Sequence, residues 1–119
     1  MRRARLQKRA RLLKAVEFNR VFDKASRSSD QYFTVLARPN ENGYPRLGLA
    51  ISKKRAKLAV TRNRLKRLIR ESFRLNQHEI CCADYIVLAG HKCADADNSR
   101  LLQSLVKHWQ KLNRLCVKS

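Results

Sequence analysis

The chain has 119 residues, enough for one domain with a single modest core. Lys and Arg number 28 against 9 Asp and Glu, which gives a formal net charge of +19 and a pI near 11.0. Such an excess of positive charge lies outside the range of an ordinary soluble enzyme and favours a polyanionic partner. Two blocks, residues 1–27 and 53–77, each hold ten Lys or Arg, whereas residues 28–52 are balanced.

The first 13 residues are predicted to form a flexible basic arm of a single domain that covers residues 1–119. No apolar run approaches the roughly 18 residues of a spanning helix, and the arm lacks the apolar segment of a secretory signal. The arm is Arg-rich, as transit peptides are, but the apolar residues from Leu12 to Phe18 run directly into the folded domain. We therefore expect a cytoplasmic protein with no membrane partner.

The first half of the domain is predicted to contain a helix and two strands. Residues 15–25 have helical periodicity, residues 26–30 are expected to break the helix, and residues 47–52 form a short apolar strand. The segment 32–38 alternates with period two. One of its faces carries Tyr32, Thr34 and Leu36, and the other carries Phe33, Val35 and Ala37.

The second half is predicted to contain a long helix from about Leu58 to Gln77, a buried strand over 84–90, and a last helix after the turn residues 95–98. Trp109 sits centrally in the apolar stripe of the last helix, so it is predicted to be a core residue. That stripe comprises Leu102, Leu105, Val106, Trp109, Leu112 and Cys116. The element order predicts an α+β two-layer sandwich whose sheet has one covered face and one open face.

The segment 59–74 is predicted to be a helix with one dry face and one cationic face. At 100° per residue, the apolar arc holds Leu65, Leu68, Ile69, Ser72 and Phe73. The opposite arc holds Asn63, Lys66, Arg67, Arg70 and Arg74, with Arg62 and Arg64 on its flanks. Because Glu71 is the single acid in this segment, the cations repel one another unless a polyanion lies along them. Long cations with one Asn suit the backbone and shape of structured RNA better than base edges in a DNA groove.

A second nucleic-acid surface is predicted on the open face of the sheet. Tyr32 and Thr34, beside Phe18 and Phe22, could hold a single strand by stacking. The alternative is that both phenylalanines are simply core residues.

Neither a catalytic centre nor a metal site is expected. No nucleophile lies at readable spacing from a base, and the sequence contains no GxSxG, P-loop or HExxH motif and no dinucleotide-binding loop. The cysteines form no CxxC pair, so we predict reduced thiols, with a zinc site near His78 and His91 as a disfavoured alternative. The four are Cys81, Cys82, Cys93 and Cys116.

Several short motifs together resemble the signature of the bacterial ribonuclease P protein subunit, over roughly residues 12–116. They are Glu17–Phe22 (EFNRVF), Arg46–Lys54 (RLGLAISKK), Arg62-Asn63-Arg64, Lys66-Arg67 and Arg70-Glu71. The resemblance implies an αβββαβα order with a left-handed βαβ crossover. It also implies a 1:1 complex with a catalytic RNA that removes the 5′ leader of precursor tRNA, the RNA performing the hydrolysis with magnesium.

The resemblance also implies two sets of binding residues. The catalytic RNA would contact Arg62, Asn63, Arg64, Lys66, Arg67, Arg70 and, on the same arc, Arg74. The single-stranded leader would lie in a cleft formed by Phe18, Phe22, Tyr32 and Thr34 and edged by Lys53 and Lys54. Ribosomal proteins and architectural DNA-binding proteins share the size and charge, but neither class explains these motifs together.

Overall fold

The computed structural model describes residues 10, 11 and 15–118, so most of the predicted basic arm lies outside the described residues. The elements, in chain order, are α1 (Ala15–Asp23), β1 (Ser26–Ser29), β2 (Phe33–Pro39), β3 (Arg46–Ala50), α2 (Ala59–Asn76), β4 (Ala83–Ala89) and α3 (Asn98–Lys118). This is the αβββαβα order implied by the resemblance.

The four strands form one mixed sheet in the order β1-β2-β4-β3. β2 pairs antiparallel with β1 and with β4, whereas β3 pairs parallel with β4. A parallel pair needs a crossover connection, and α2 supplies it between β3 and β4. Val87 in β4 lies between Val35 of β2 and Leu49 of β3, which places β4 at the centre of the sheet.

The main core lies between the sheet and the helices α2 and α3. β2 contributes Phe33 and Val35 to it, and the central strand contributes Tyr85 and Val87. The rings of Phe73, Tyr85 and Trp109 meet edge to face with centroids 5.7–5.8 Å apart, a favoured aromatic geometry. The predicted covered face and the core position of Trp109 are confirmed.

The opposite face of the sheet is only partly covered. α1 packs on it through Val21, which is fully buried against Ile86, while Val16 and Phe22 on the same helix stay exposed. Half-buried residues of three strands therefore remain accessible beside α1. The prediction of a sandwich with one open face is confirmed.

Arg46 joins α1 to this sheet. Its Nε and Nη2 donate to the two carboxylate oxygens of Asp84 at 2.8 and 2.7 Å, and its Nη1 donates to Glu17 at 2.6 Å. The Asp84 side chain is almost fully buried, so the guanidinium neutralises a carboxylate that water does not reach. The bidentate pair joins β3 to β4, and the contact with Glu17 attaches α1 to these two strands.

The predicted helix break at residues 26–30 is confirmed, since α1 ends at Asp23, but the sequence analysis missed the edge strand β1 at Ser26–Ser29. The segment has no apolar alternation, so its sequence does not announce a strand. Its backbone pairs with β2, and the buried Ser28 hydroxyl lies 2.6 Å from Nδ1 of His108 in α3. A side chain 80 residues away in sequence thus supports this strand.

The prediction that all four cysteines are reduced thiols is wrong for two of them. Cys81, just before β4, forms a disulfide with Cys116 near the end of α3, with their Cα atoms 6.5 Å apart. Cys82 is free and exposed, and Cys93 is free and buried, so that burial raises the pKa of its thiol. The pairing depends on where the last turns of α3 lie, which spacing in the sequence does not reveal.

The buried stripe of α3 begins one residue earlier than predicted, at Leu101 instead of Leu102. Leu101 is fully buried, whereas Leu102 is 37% exposed. Leu105 and Leu112 lie in the core as predicted. The indole Nε1 of Trp109 donates to the Ser72 hydroxyl at 2.9 Å, so the one polar atom of this ring is satisfied inside the core.

Candidate nucleic-acid interface

The outer side of α2 carries the predicted cationic face. Leu65, Ile69, Ser72 and Phe73 are buried against the sheet and α3, which confirms the dry arc. The opposite arc faces solvent, and we call it the cationic face. It comprises Asn63, Arg67 and Arg70, which are exposed, and Lys66 and Arg74, which are half-buried.

The two flanking arginines are engaged within the protein. Arg62 donates from Nη1 to the carbonyls of Ala56 and Lys57, both at 2.8 Å, and so closes the loop that leads into α2. Arg64 donates to Oδ1 of Asn98 at 2.7 Å and to the carbonyl of Ala94 at 3.2 Å. Both side chains therefore hold α2 in place in addition to adding positive charge beside the cationic face.

The residues of the cationic face differ in whether their side chains are paired within the protein. Arg74 pairs with Glu71 at 2.6 Å. Asn63, Lys66 and Arg67 make no side-chain hydrogen bond or ion pair with any residue of the described part of the chain. Burial, followed by repulsion from Arg11, lowers the pKa of Arg70, which marks a place where positive charge is crowded. The donors of Asn63, Lys66 and Arg67 are therefore available to an anionic partner.

A cleft of about 1000 Å³ opens on the uncovered face of the sheet. Its floor consists of half-buried apolar side chains from all three neighbouring strands, such as Leu36, Leu49 and Leu88. Phe22 of α1, 48% exposed, lines the cleft too, and the cations in the lining are Arg27, Arg55 and Lys66. An apolar floor with an aromatic ring and cations suits stacked bases whose phosphates face the cations.

Of the residues predicted to bind a single strand, Phe22 and Thr34 line this cleft. Phe18 is half-buried and packs against the small cluster of Val21 and Ile86 under α1. Tyr32, by contrast, is half-buried, packs against the main core and does not line the cleft.

The predicted lysines lie beside the cleft instead of in its lining. Lys53 and Lys54 are exposed in the turn after β3, between Ser52 and Arg55, which do line the cleft. Sequence reasoning missed Arg55 and Arg27 as lining residues. Arg55 continues the basic run of the two lysines and was detectable, whereas Arg27 depends on β1, which the sequence did not reveal.

Lys66 links the two predicted surfaces. It belongs to the cationic face of α2 and also lines the cleft. The sheet cleft and the helix face are therefore continuous, so one RNA assembly could contact both at once.

Within the described residues, no group of three or more His, Cys, Asp or Glu side chains is placed to hold a metal ion. The helices described there also include none with the length and hydropathy needed to cross a bilayer.

Comparison with known proteins agrees with this architecture. The family model described as Ribonuclease P matches residues 6–113. The ribonuclease P protein component of Methylococcus capsulatus is 52% identical over 106 residues, which cover 89% of this chain and 83% of that protein. The corresponding protein of Photorhabdus laumondii is 50% identical over 105 residues, covering 88% of each chain.

Solved structures show the same fold. The RNase P protein of Staphylococcus aureus superposes with a TM-score of 0.81 at 32% identity, covering 87% of this chain and 97% of that one. The protein of Thermotoga maritima superposes with a TM-score of 0.72 at 30% identity, covering 92% and 97%. These relatives favour ribonuclease P over the ribosomal and DNA-binding alternatives. The α+β sandwich, the basic helix face and the extent of these matches together show that the chain belongs to the family of ribonuclease P protein components.

Proposed function

We propose that this chain binds one ribonuclease P RNA through the cationic face of α2. The observation that carries the proposal is a row of cations on the solvent side of a helix whose other side is buried in the core. On this face, Asn63, Lys66 and Arg67 are free of partners among the residues described. Phosphate contacts of this kind supply affinity and register. Arg62 and Arg64 support the same surface by tying the N-terminal part of α2 to the preceding loop and to the residues around the start of α3.

The cleft is proposed to hold the single-stranded 5′ leader of precursor tRNA. Phe22 offers a ring for base stacking, Thr34 a hydroxyl, and Arg27, Arg55 and Lys66 positive charge. Phe18 supports the cleft from below, and Lys53 and Lys54 extend its positive rim. Because mature tRNA lacks a leader, the cleft would favour substrate over product.

In this proposal the RNA performs the phosphodiester hydrolysis and the protein supplies differential binding. The protein also reduces repulsion between the phosphates of two RNAs, which lowers the magnesium concentration needed. Magnesium is proposed to be bound mainly by the RNA component. The complex is proposed to be 1:1 and to act in the cytoplasm, where precursor tRNA is available to a bacterial RNA enzyme.

The test is a cleavage assay. Precursor tRNA labelled at its 5′ end is incubated with a bacterial ribonuclease P RNA at low magnesium and moderate salt, with and without the protein. We expect a correctly placed 5′ cut that depends on the protein. Binding of both RNAs without any effect on cleavage would contradict the proposal and indicate a general RNA-binding protein.

A pair of matched variants separates the helix face from general charge. Arg67→Ala removes a free, exposed cation of α2 and is expected to weaken assembly with the ribonuclease P RNA. Arg20→Ala removes an exposed arginine of α1 that lies outside both proposed surfaces, and it should leave assembly close to wild type. Equal losses for the two variants would show that net charge, and not the cationic face, determines assembly.

A further inference from the structure

α3 carries a second row of cations that neither the cleft nor the cationic face of α2 includes. The helix has 21 residues, Asn98–Lys118, and contains no acidic residue. Four of its cations are exposed, and we call them the α3 stripe: Arg100, Lys107, Lys111 and Arg114. At 100° per residue they fall within about 60° of one another, along roughly 21 Å of helix.

The α3 stripe points away from both the sheet and α2. The side of α3 that faces α2 is marked by Trp109, which bonds Ser72, and by Asn98, which bonds Arg64. Both lie about 160–180° around the helix from Arg100. The side that faces β1 is marked by His108, which contacts Ser28. The α3 stripe is therefore a separate surface, on the flank of the molecule opposite to α2.

The charges of the α3 stripe are not compensated within the protein. None of its four side chains makes an ion pair or hydrogen bond with another residue in the ranges that the structure describes. Lys107 and Lys111 are four positions apart on one helix face, where like charges repel each other. A row of cations with no internal partner is stabilised when a line of negative charge lies against it.

The chemistry of the surrounding surface identifies the kind of polyanion. Gln103 and Gln110 are exposed along one side of the stripe and can donate to and accept from ribose hydroxyls. A membrane-binding helix would expose a continuous apolar face, but here Leu105, Trp109 and Leu112 are buried in the core. The exposed leucines of α3 are Leu102 and Leu115, 37% and 40% exposed, and they do not form such a face. The stripe also exposes no aromatic anchor of the kind that dominates protein interfaces.

We propose that the α3 stripe is a second RNA-binding surface, which contacts the sugar-phosphate backbone of a double-stranded RNA segment. The chain would then touch RNA on two opposite flanks, with α2 on one and α3 on the other. This inference rests on the proposed RNA-binding function, but it does not depend on the roles assigned to α2 or to the cleft.

The test compares two variants with the same loss of charge. Lys107→Gln/Lys111→Gln removes the centre of the α3 stripe, whereas Lys24→Gln/Lys92→Gln removes two exposed lysines elsewhere. Affinity is measured for a ribonuclease P RNA and for a simple double-stranded RNA hairpin, over a series of salt concentrations. Thermal unfolding of both variants checks that the fold is intact.

We expect the α3 variant to bind both RNAs more weakly than the control. Two lost phosphate contacts should reduce the slope of log K against log salt by about 1.4–1.8, while the control should change it little. Equal behaviour of the two variants would overturn the inference, as would an equal loss of affinity for a DNA hairpin of the same sequence.

The failure of this inference is distinguishable from that of the proposed function. If the wild-type protein supports cleavage and the α3 variant matches its control, only the α3 stripe is refuted. If the wild-type protein binds neither RNA, both proposals fall.

Discussion

Replacing Phe22 by Ala tests the assignment of the cleft most directly. Phe22 lines the cleft with 48% of its surface exposed, so its ring is accessible to a base. Stacking on an aromatic side chain contributes roughly 1–3 kcal/mol per base. At about 1.4 kcal/mol for each tenfold change in affinity, one lost stack weakens binding by roughly 5- to 150-fold.

The same exposure limits the effect of the substitution on folding. Full burial of a Phe side chain contributes about 1.5–3 kcal/mol, so a side chain that is half-exposed should contribute about 1 kcal/mol. Phe22→Ala should therefore fold, and its effect on binding can be measured separately.

The assay compares affinities of the reconstituted holoenzyme for precursor tRNA and for mature tRNA. Phe22→Ala should lose affinity for the precursor and keep its affinity for the mature product, whereas Phe22→Tyr, which keeps the ring, should resemble wild type. Val16→Ala is the matched control, since Val16 is an apolar residue of the same helix, 69% exposed and outside the cleft lining. An unchanged ratio of the two affinities in Phe22→Ala would refute the stacking role.

Three further predictions concern the fold. Cys116→Ser removes the disulfide to Cys81, which closes a loop of 35 residues. Chain entropy predicts that the free energy of unfolding, measured in urea under oxidising conditions, falls by about 3–4 kcal/mol. A loss of the same size in dithiothreitol would contradict this. Arg46→Met leaves the Asp84 carboxylate buried without its counter-charge and should lower the free energy of unfolding by about 3–5 kcal/mol. Arg46→Lys should lie between Arg46→Met and the wild-type protein, and a loss below about 1 kcal/mol in Arg46→Met would show the pair to be dispensable. Burial lowers the pKa of His108 below its ordinary value of 6.5, so just below that pH the unfolded chain binds a proton that the folded chain does not. The free energy of unfolding should therefore fall as the pH drops through about 6.5. His108→Gln should show a smaller change in thermal midpoint between pH 7.5 and 5.5 than the wild-type protein.

Local periodicity made much of this protein predictable. In α2, residues that share a face are set by the 3.6-residue repeat, so the burial of Leu65, Ile69 and Phe73 and the exposure of Arg67 and Arg70 followed from the order of residues alone. The alternation in β2 likewise predicted that Phe33 and Val35 share one face of the strand, and that face lies in the core. These patterns depend on near neighbours in the chain, which the sequence displays directly.

The contribution of each flanking arginine was decided by the tertiary structure. Arg62 and Arg64 carry the same charge as Arg67, and their position on the helix is predictable. That they bond carbonyls of the preceding loop and of the segment before α3 depends on where those segments lie. The same holds for Tyr32, whose residue type suits a nucleic-acid cleft but whose side chain packs against the core.

The composition and helical periodicity of the sequence determined that this is a basic, single-core α+β protein with a cationic helix. The tertiary structure alone decided that Ser26–Ser29 form a strand, that Cys81 meets Cys116, and that Arg27 lines the cleft. The physical reason is the range of the contacts. A helix face is defined within a few residues, whereas an edge strand, a disulfide and a cleft arise from segments that are distant in sequence and meet only when the chain packs around its core.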